Sequence, residues 1–381
     1  MALRVDIEPK TLIWAIERSR RPMSDLVKRQ PKLPAWLSGE LSPTLKQLES
    51  LAAATYTPLG FLLLPEPVEE ELPVPDFRTM GDAAIKGPSA NLLETLALCS
   101  ERQEWYRSYA QETEQPKLAF VGSLLVEVPP TAAARAIEEV LDFSISSRVA
   151  YGSWSDALRG LIEQAENAGI LVMVSGVVAS NTHRILDPRE FRGFAFSDEL
   201  APVIFINGAD TKAAQIFSLA HELAHVWLGE SAVSNAAPDQ PAFNETERWC
   251  NDVAAELLVP QTSFLENYDQ EQQMSEQLET LARLYRVSTL VILRRVFDVG
   301  LLEWADFRAA YQDELERVLG VVRADGGNFF NTQPVRASKR FTRAILTDTL
   351  EGRTLYRDAF RLIGFKKLST FEGLSERLGV S

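Results

Sequence analysis

Histidine is nearly missing from this chain, with three residues in 381. Cysteine is rarer still: Cys99 and Cys250 stand alone, which excludes an extracellular disulfide framework and a cysteine-rich metal site. No stretch reaches the roughly 18 uninterrupted apolar residues of a membrane span. The amino terminus, MALRVDIEPK, carries charges where a secretory leader has its apolar segment, so the chain reads as cytoplasmic with no membrane partner. Positive charge is lacking too. At a net −14 the molecule is not built to coat nucleic acid, and any DNA contact must be local. What the chain does have is 46% hydrophobic residues, ample for cores, and a length that suggests two or three domains of ~100–200 residues each.

The pattern predicts an α+β protein that is mainly helical, with a small sheet. Residues 1–64 carry amphipathic runs at Lys10–Arg18, Met23–Arg29 and Thr44–Ala54 broken by prolines, which fits three or four short helices. The stretch PEPVEEELPVPDFRT combines four prolines with an acidic run and marks 65–80 as an extended linker. Residues 81–302 form the main domain, with its core at 165–265. Helices are expected at Asn91–Gln111, Pro130–Leu141 and Trp154–Ala168, and strands in ILVMVSGVV, FRGFAF and PVIFIN. Residues 303–381 form a C-terminal helical region with a turn at Gly326–Gly327.

Two of the three histidines stand four apart in FSLAHELAHVWLG. On a helix that spacing places His221 and His225 on one face, where both imidazoles reach one point. This is what a zinc ion needs from its first two ligands, and Glu222, about 100° around the helix, is placed to take a proton from a water at the metal. A catalytic zinc takes three protein ligands, and the third is sought on the helix NETERWCNDVAAELLVP. There Asn251, Ala254 and Leu258 lie within about 40° of Glu247, while Glu245, Asp252 and Glu256 fall on the other side. A carboxylate on an inward face needs a cation, which favours Glu247 as the third ligand over an ordinary capping or ion-pair role, while Asn251 either orients the ligands or makes a plain core-edge hydrogen bond. PVIFIN, with Val203, Ile204, Phe205, Ile206 and Asn207, reads either as a strand that pairs with substrate backbone or as a plain core strand. His183, Arg184, Arg192 and Tyr268 are equal candidates for stabilising an oxyanion.

The run from RGFAFSDELAPVIFIN through FSLAHELAHVWLG to ETERWCNDVAAELLVP resembles the ImmA/IrrE family of bacterial metallopeptidases, whose pattern is a strand, an HExxH helix and an ExxxN helix ending in LLxP. The stretch PAWLSGELSPTLKQLESLAAATYTPLGFLLLPEP resembles the λ-repressor type helix-turn-helix found ahead of that peptidase in many members. The resemblance implies zinc held by His221, His225 and Glu247 with Glu222 as general base. It also implies a protein substrate of the repressor type, or a role as a regulator or antitoxin beside a toxin encoded nearby.

The amino-terminal resemblance is incomplete. Between Leu26 and Trp36 the chain is about four residues shorter than that fold expects, with Pro31 and Pro34 inside the interval, so the recognition helix is shortened. Arg20, Arg21 and Lys28 belong to a basic bunch that offers phosphate contacts, or a solvated charged face. In ARLYRVSTLVILRRVFDVGLL, Leu284, Val287, Leu290, Leu293 and Val296 are expected to build core. The leading reading is a zinc endopeptidase of narrow specificity. The alternative is a helix-turn-helix regulator or antitoxin whose peptidase site is vestigial or structural.

Overall fold

The computed structural model describes residues 4–70, 72, 74, 75, 87–234, 244–321 and 329–380, and side chains outside 318–332. The Gly326–Gly327 turn and much of the proline-rich stretch lie outside the described residues. The chain divides into two units, Met1–Pro73 with Asp82–Ala97, and Val74–Gly81 with Leu98–Ser381.

In the first unit the prolines punctuate five helices rather than three or four: α1 Pro9–Ser19, α2 Met23–Arg29, α3 Leu33–Leu37, α4 Leu45–Thr55 and α5 Leu59–Leu62. Leu12, Leu26, Leu33, Trp36, Leu48 and Leu51 share its core. Thr44 caps α4 with a reciprocal capping box to Gln47. After α5, Glu66 pairs with Lys10 and Glu70 with Arg18.

The second unit opens with the remainder of α6 (Ala90–Glu112), then α7 (Pro130–Leu141), α8 (Ile145–Arg148) and α9 (Trp154–Ala168). Three strands follow, β1 Leu171–Ser175, β2 Gly193–Phe196 and β3 Val203–Asn207. Then come α10 (Lys212–Leu228), β4 (Ala232–Ser234) and α11 (Glu245–Leu258). The rest is helical: α12 Gln261–Asn267, α13 Met274–Tyr285, α14 Thr289–Asp298, α15 Trp304–Val321, α16 Phe329–Ala337, α17 Lys339–Leu350, α18 Tyr356–Ile363 and α19 Leu368–Leu378. No helix among the described residues is long and apolar enough to cross a membrane.

The sheet runs in the order β1-β3-β2-β4. β1 pairs parallel with β3, and β2 runs antiparallel to both β3 and β4. All four strands are short and their residues almost entirely buried, because both faces are covered. Val172, Ala195, Ile204 and Ile206 share one core with α10. On the other face Phe194 stacks on Phe205 at 4.9 Å, and α16 and α17 lie against β1.

Helix α10 is apolar nearly all round, as a helix between two layers must be. It packs on β2 and β3 on one side and on α11, α9 and α7 on the other. Thr211 caps its start and Gly229 ends it.

Buried polar groups tie the outlying helices down. Arg148 is fully buried and donates to Leu258 O at 2.6 Å, Tyr285 O at 3.0 Å and Leu257 O at 3.2 Å, thereby capping α11 with a side chain from α8. Burial pulls its guanidinium down to about 10. Arg102 on α6 donates to Leu362 O at 2.8 Å and to Arg336 O at 3.1 Å. Glu166, at the end of α9, accepts from the Ser338 hydroxyl at 2.5 Å.

Two expectations fail here. Leu284 is 40% exposed and is not core, whereas Val287, Leu290, Leu293 and Val296 are buried. Glu256, placed by the helical wheel away from the inward face, is itself buried and pairs with Arg295 at 3.2 Å, because α14 covers that side of α11.

Candidate metal centre

Helix α10 carries His221 and His225 one turn apart, and α11 packs directly against it. Asn244 caps α11 through the Glu247 amide at 2.6 Å, which sets Glu247 in the first turn facing the two imidazoles. His225 Nε2 lies 3.0 Å from Glu247 Oε1, and His221 Nε2 lies 3.3 Å from Glu247 Oε2. The two Nε2 atoms are 3.2 Å apart. One ligand atom from each of the three residues falls within 4.8 Å of the others, and all three side chains are buried.

Asn251, one turn beyond Glu247, has its Oδ1 3.0 Å from His221 Nδ1. An Nδ1–H donated to that oxygen leaves the Nε2 lone pair of His221 turned toward the cluster.

The electrostatics match a cation site. Burial lowers the proton affinity of His225, with Glu247 opposing, so its imidazole is biased to the neutral form that ligates. For Glu247, burial acts to raise the carboxyl, yet the His221 and His225 rings outweigh it and hold the group below the usual carboxylate range. Three buried N and O atoms from two imidazoles and a carboxylate converge on one point. A divalent ion there would be held by all three, so the residues present fit a metal.

Glu222 sits in a different environment. Its carboxylate is fully buried, and neither oxygen makes a hydrogen bond of ordinary geometry among the described residues. Burial and the neighbouring Glu247 charge push its proton affinity well above the ordinary carboxyl, with the Ser234 hydroxyl pulling weakly the other way. A buried carboxylate with raised proton affinity beside the His221, His225 and Glu247 cluster is suited to exchanging protons.

Two residues at this site have no counterpart in the sequence reading. Gly193 on β2 faces Glu222: a Cβ there would stand 2.8 Å from Glu222 Oε1 and 3.1 Å from its Cγ, so only glycine leaves room for the carboxylate. Ser234 pairs with Gly193 in the β2–β4 register and places its hydroxyl 3.4 Å from both His225 Nε2 and Glu247 Oε1. Gly193 was detectable in principle as an isolated glycine inside a strand-like run; β4 is too short to leave a periodic signal.

The substrate strand assigned to Val203–Asn207 is corrected by the topology. β3 is paired on both sides, by β1 and β2, so its backbone has no free ladder for a second chain. β4 is the edge strand next to the cluster, and its Val233 amide donates to Pro75 O at 3.0 Å. Among the oxyanion candidates, Arg192 is ion-paired to Asp210 at 3.2 Å, Tyr268 packs on Phe264 and His183 is exposed in a separate cavity.

The DNA candidates are engaged within the first unit. The Arg20 guanidinium donates to Gly87 O at 2.7 Å. Arg21 donates to the Tyr56 hydroxyl at 2.6 Å and lies over that ring, and Lys28 pairs with Asp25 at 3.3 Å. The interval from Leu26 to Trp36 holds the end of α2 and most of α3, which is five residues long.

Residues 337–377 match a family model described only as a domain of unknown function, DUF8813. No curated protein and no solved structure matches the chain. Residues 165–297, which hold the whole sheet, α10 and α11, match the family model described as the IrrE N-terminal-like domain, Peptidase_M78, and this match, with the His221, His225 and Glu247 cluster, supports a peptidase of the ImmA/IrrE type in this part of the chain.

Proposed function

We propose that the protein is a zinc-dependent endopeptidase of narrow specificity that cuts a regulatory protein of the repressor type. The observation that carries this reading is the buried convergence of His221, His225 and Glu247 beside the buried Glu222 carboxylate. His221, His225 and Glu247 would hold the metal, and Asn251 would keep His221 in the tautomer that ligates. Zinc bound there would supply Lewis acidity toward a water and a substrate carbonyl.

The chain's own residues do the rest. Glu222 accepts the proton of the attacking water as its oxygen bonds to the scissile carbonyl carbon. It then passes that proton to the nitrogen as the C–N bond breaks. Gly193 keeps the space in which that carboxylate moves. Substrate backbone would add to the outer edge of β4, a buried strand whose Val233 N–H is taken by Pro75 O, so substrate must displace that short stretch of the chain.

The test has two parts. Elemental analysis should find one equivalent of zinc in the wild type and none in Glu247→Ala, while Glu222→Gln keeps the metal. Labelling of new protein N-termini in cells should then show cuts with the wild type that Glu222→Gln reduces by about 10²-fold or more. Wild-type protein that takes up no metal even with zinc added would instead support the regulator or antitoxin reading.

A further inference from the structure

A second cavity, of about 1050 Å³, lies away from the cluster between the loop after β1 and helix α18. Its wall on the α18 side is one helical face: Arg357, Phe360, Arg361 and Gly364 follow the i, i+3, i+4, i+7 spacing, while Ala359, Leu362 and Ile363 point into the core. Lys366, His183 and the neutral polar side chains of Ser180, Asn181 and Thr182 complete the polar part, and among the described residues no carboxylate lines the cavity. In a chain of net charge −14 that local excess of cations stands out. Arg361 and Arg357 do have acidic neighbours, Glu101 and Asp358, but both lie outside the lining.

The carbonyls at the end of α18, which would otherwise favour a cation, are already used. Phe360 O accepts from the Gly364 and Phe365 amides, and Leu362 O from Arg102. Ile363 O accepts from Gln333 at 2.7 Å, and Gly364 O from Ser180 at 2.7 Å. What faces the cavity is therefore guanidinium, ammonium, imidazole and aromatic ring, beside the neutral polar side chains of the loop after β1. Phe360 and Phe365 stand 5.0 Å apart and give it an apolar side. The Ser180 bond ties the loop after β1 to the end of α18, and Gly364 permits it: φ is +94° and a Cβ would fall 2.9 Å from Ser180 Oγ.

We propose that this cavity binds a small ring-bearing phosphate of the mononucleotide class. Two arginines and a lysine match a phosphate, for which the forked guanidinium gives paired hydrogen bonds. The phenylalanine side takes a flat ring by stacking. The volume is at the upper end of small-molecule pockets and holds a nucleotide. The site joins the segment matching the domain family of unknown function to the loop that follows the first strand of the peptidase region, and it shares no residue with the metal cluster.

Isothermal titration calorimetry on the full chain tests it, with AMP, GMP, CMP and UMP as probes and inorganic phosphate as comparator. At least one nucleotide should bind with one-to-one stoichiometry, at least about tenfold more tightly than inorganic phosphate, and more weakly as salt rises. An Arg357→Ala, Arg361→Ala double variant should lose about tenfold or more in affinity, as should Phe360→Ala. Lys366→Glu, a change at an exposed side chain, should weaken binding without shifting the melting temperature, which separates lost contacts from lost folding. The proposal is overturned by any of three results: no nucleotide bound at about 1 mM, affinity unchanged in Lys366→Glu and the double variant, or equal affinity for phosphate and nucleotides.

Discussion

Gly193 and Glu222 show how one missing methyl group keeps a carboxylate in place. With 2.8 Å between the position of a Cβ and Glu222 Oε1, Gly193→Ala must displace the carboxylate while leaving the histidines and Glu247 untouched. The expected outcome is full zinc content and a cleavage rate lower by about tenfold or more, read as the yield of new N-termini. Glu222 also sets a pH dependence in the metal-free protein. Its folded-state proton affinity is raised, so ionisation costs nothing below the unfolded carboxyl's pKa of about 4.3 and destabilises the fold progressively as pH climbs above it. Glu247 has the opposite sign, contributing stability above that pH and losing it in acid. Melting curves in chelator should show Glu222→Gln gaining on the wild type as pH rises, by up to about 1.4 kcal/mol per pH unit. A constant difference from pH 5 to pH 8 would contradict the assignment. The candidate triad was legible because histidine is so scarce and HExxH so compact; Ser234 was not, since its role depends on a strand register that no local pattern encodes, and Gly193 left only the trace of an isolated glycine in a strand-like run.

Among the elements, α7 and α9 carry the bounds read from the sequence, because their apolar period is regular and Pro130 and Gly169 mark an end of each. The short pieces α3, α5, α8 and β4 leave no period to detect, and β4 proves the consequential one, as the edge beside the metal cluster. Its Val233 amide, hydrogen-bonded to Pro75 O, suggests a direct experiment. Val233→Pro removes the donor at an edge position where proline is tolerated, so the protein should fold and keep zinc, yet cleave its substrate at least about tenfold more slowly. Unchanged cleavage would show that substrate does not pair there. The misplacement of Glu256 has the same origin as that of Leu284: a helical wheel gives the angle of a side chain but not which neighbouring helix covers it. Arg148 is the strongest bolt between elements. Arg148→Met leaves three carbonyls at the junction of α8, α11 and α13 without their donor, and urea unfolding should register a loss of about 3 kcal/mol.

At the scale of the whole molecule, the α+β class and the predominance of helix followed from composition and period, whereas the role of the last fifty residues did not. They read as one more helical region, yet α16 and α17 lie against β1 of the sheet. Arg102 and Glu166 are buried against main chain and side chains of that region, each relying on it for hydrogen bonds. A segment bound in this way is not an interchangeable accessory. Any rearrangement that joined the peptidase region to a different ending would inherit a stranded arginine, a stranded glutamate and an uncovered β1. The two matched regions are therefore expected to travel through inheritance together, or to part only after those residues have changed.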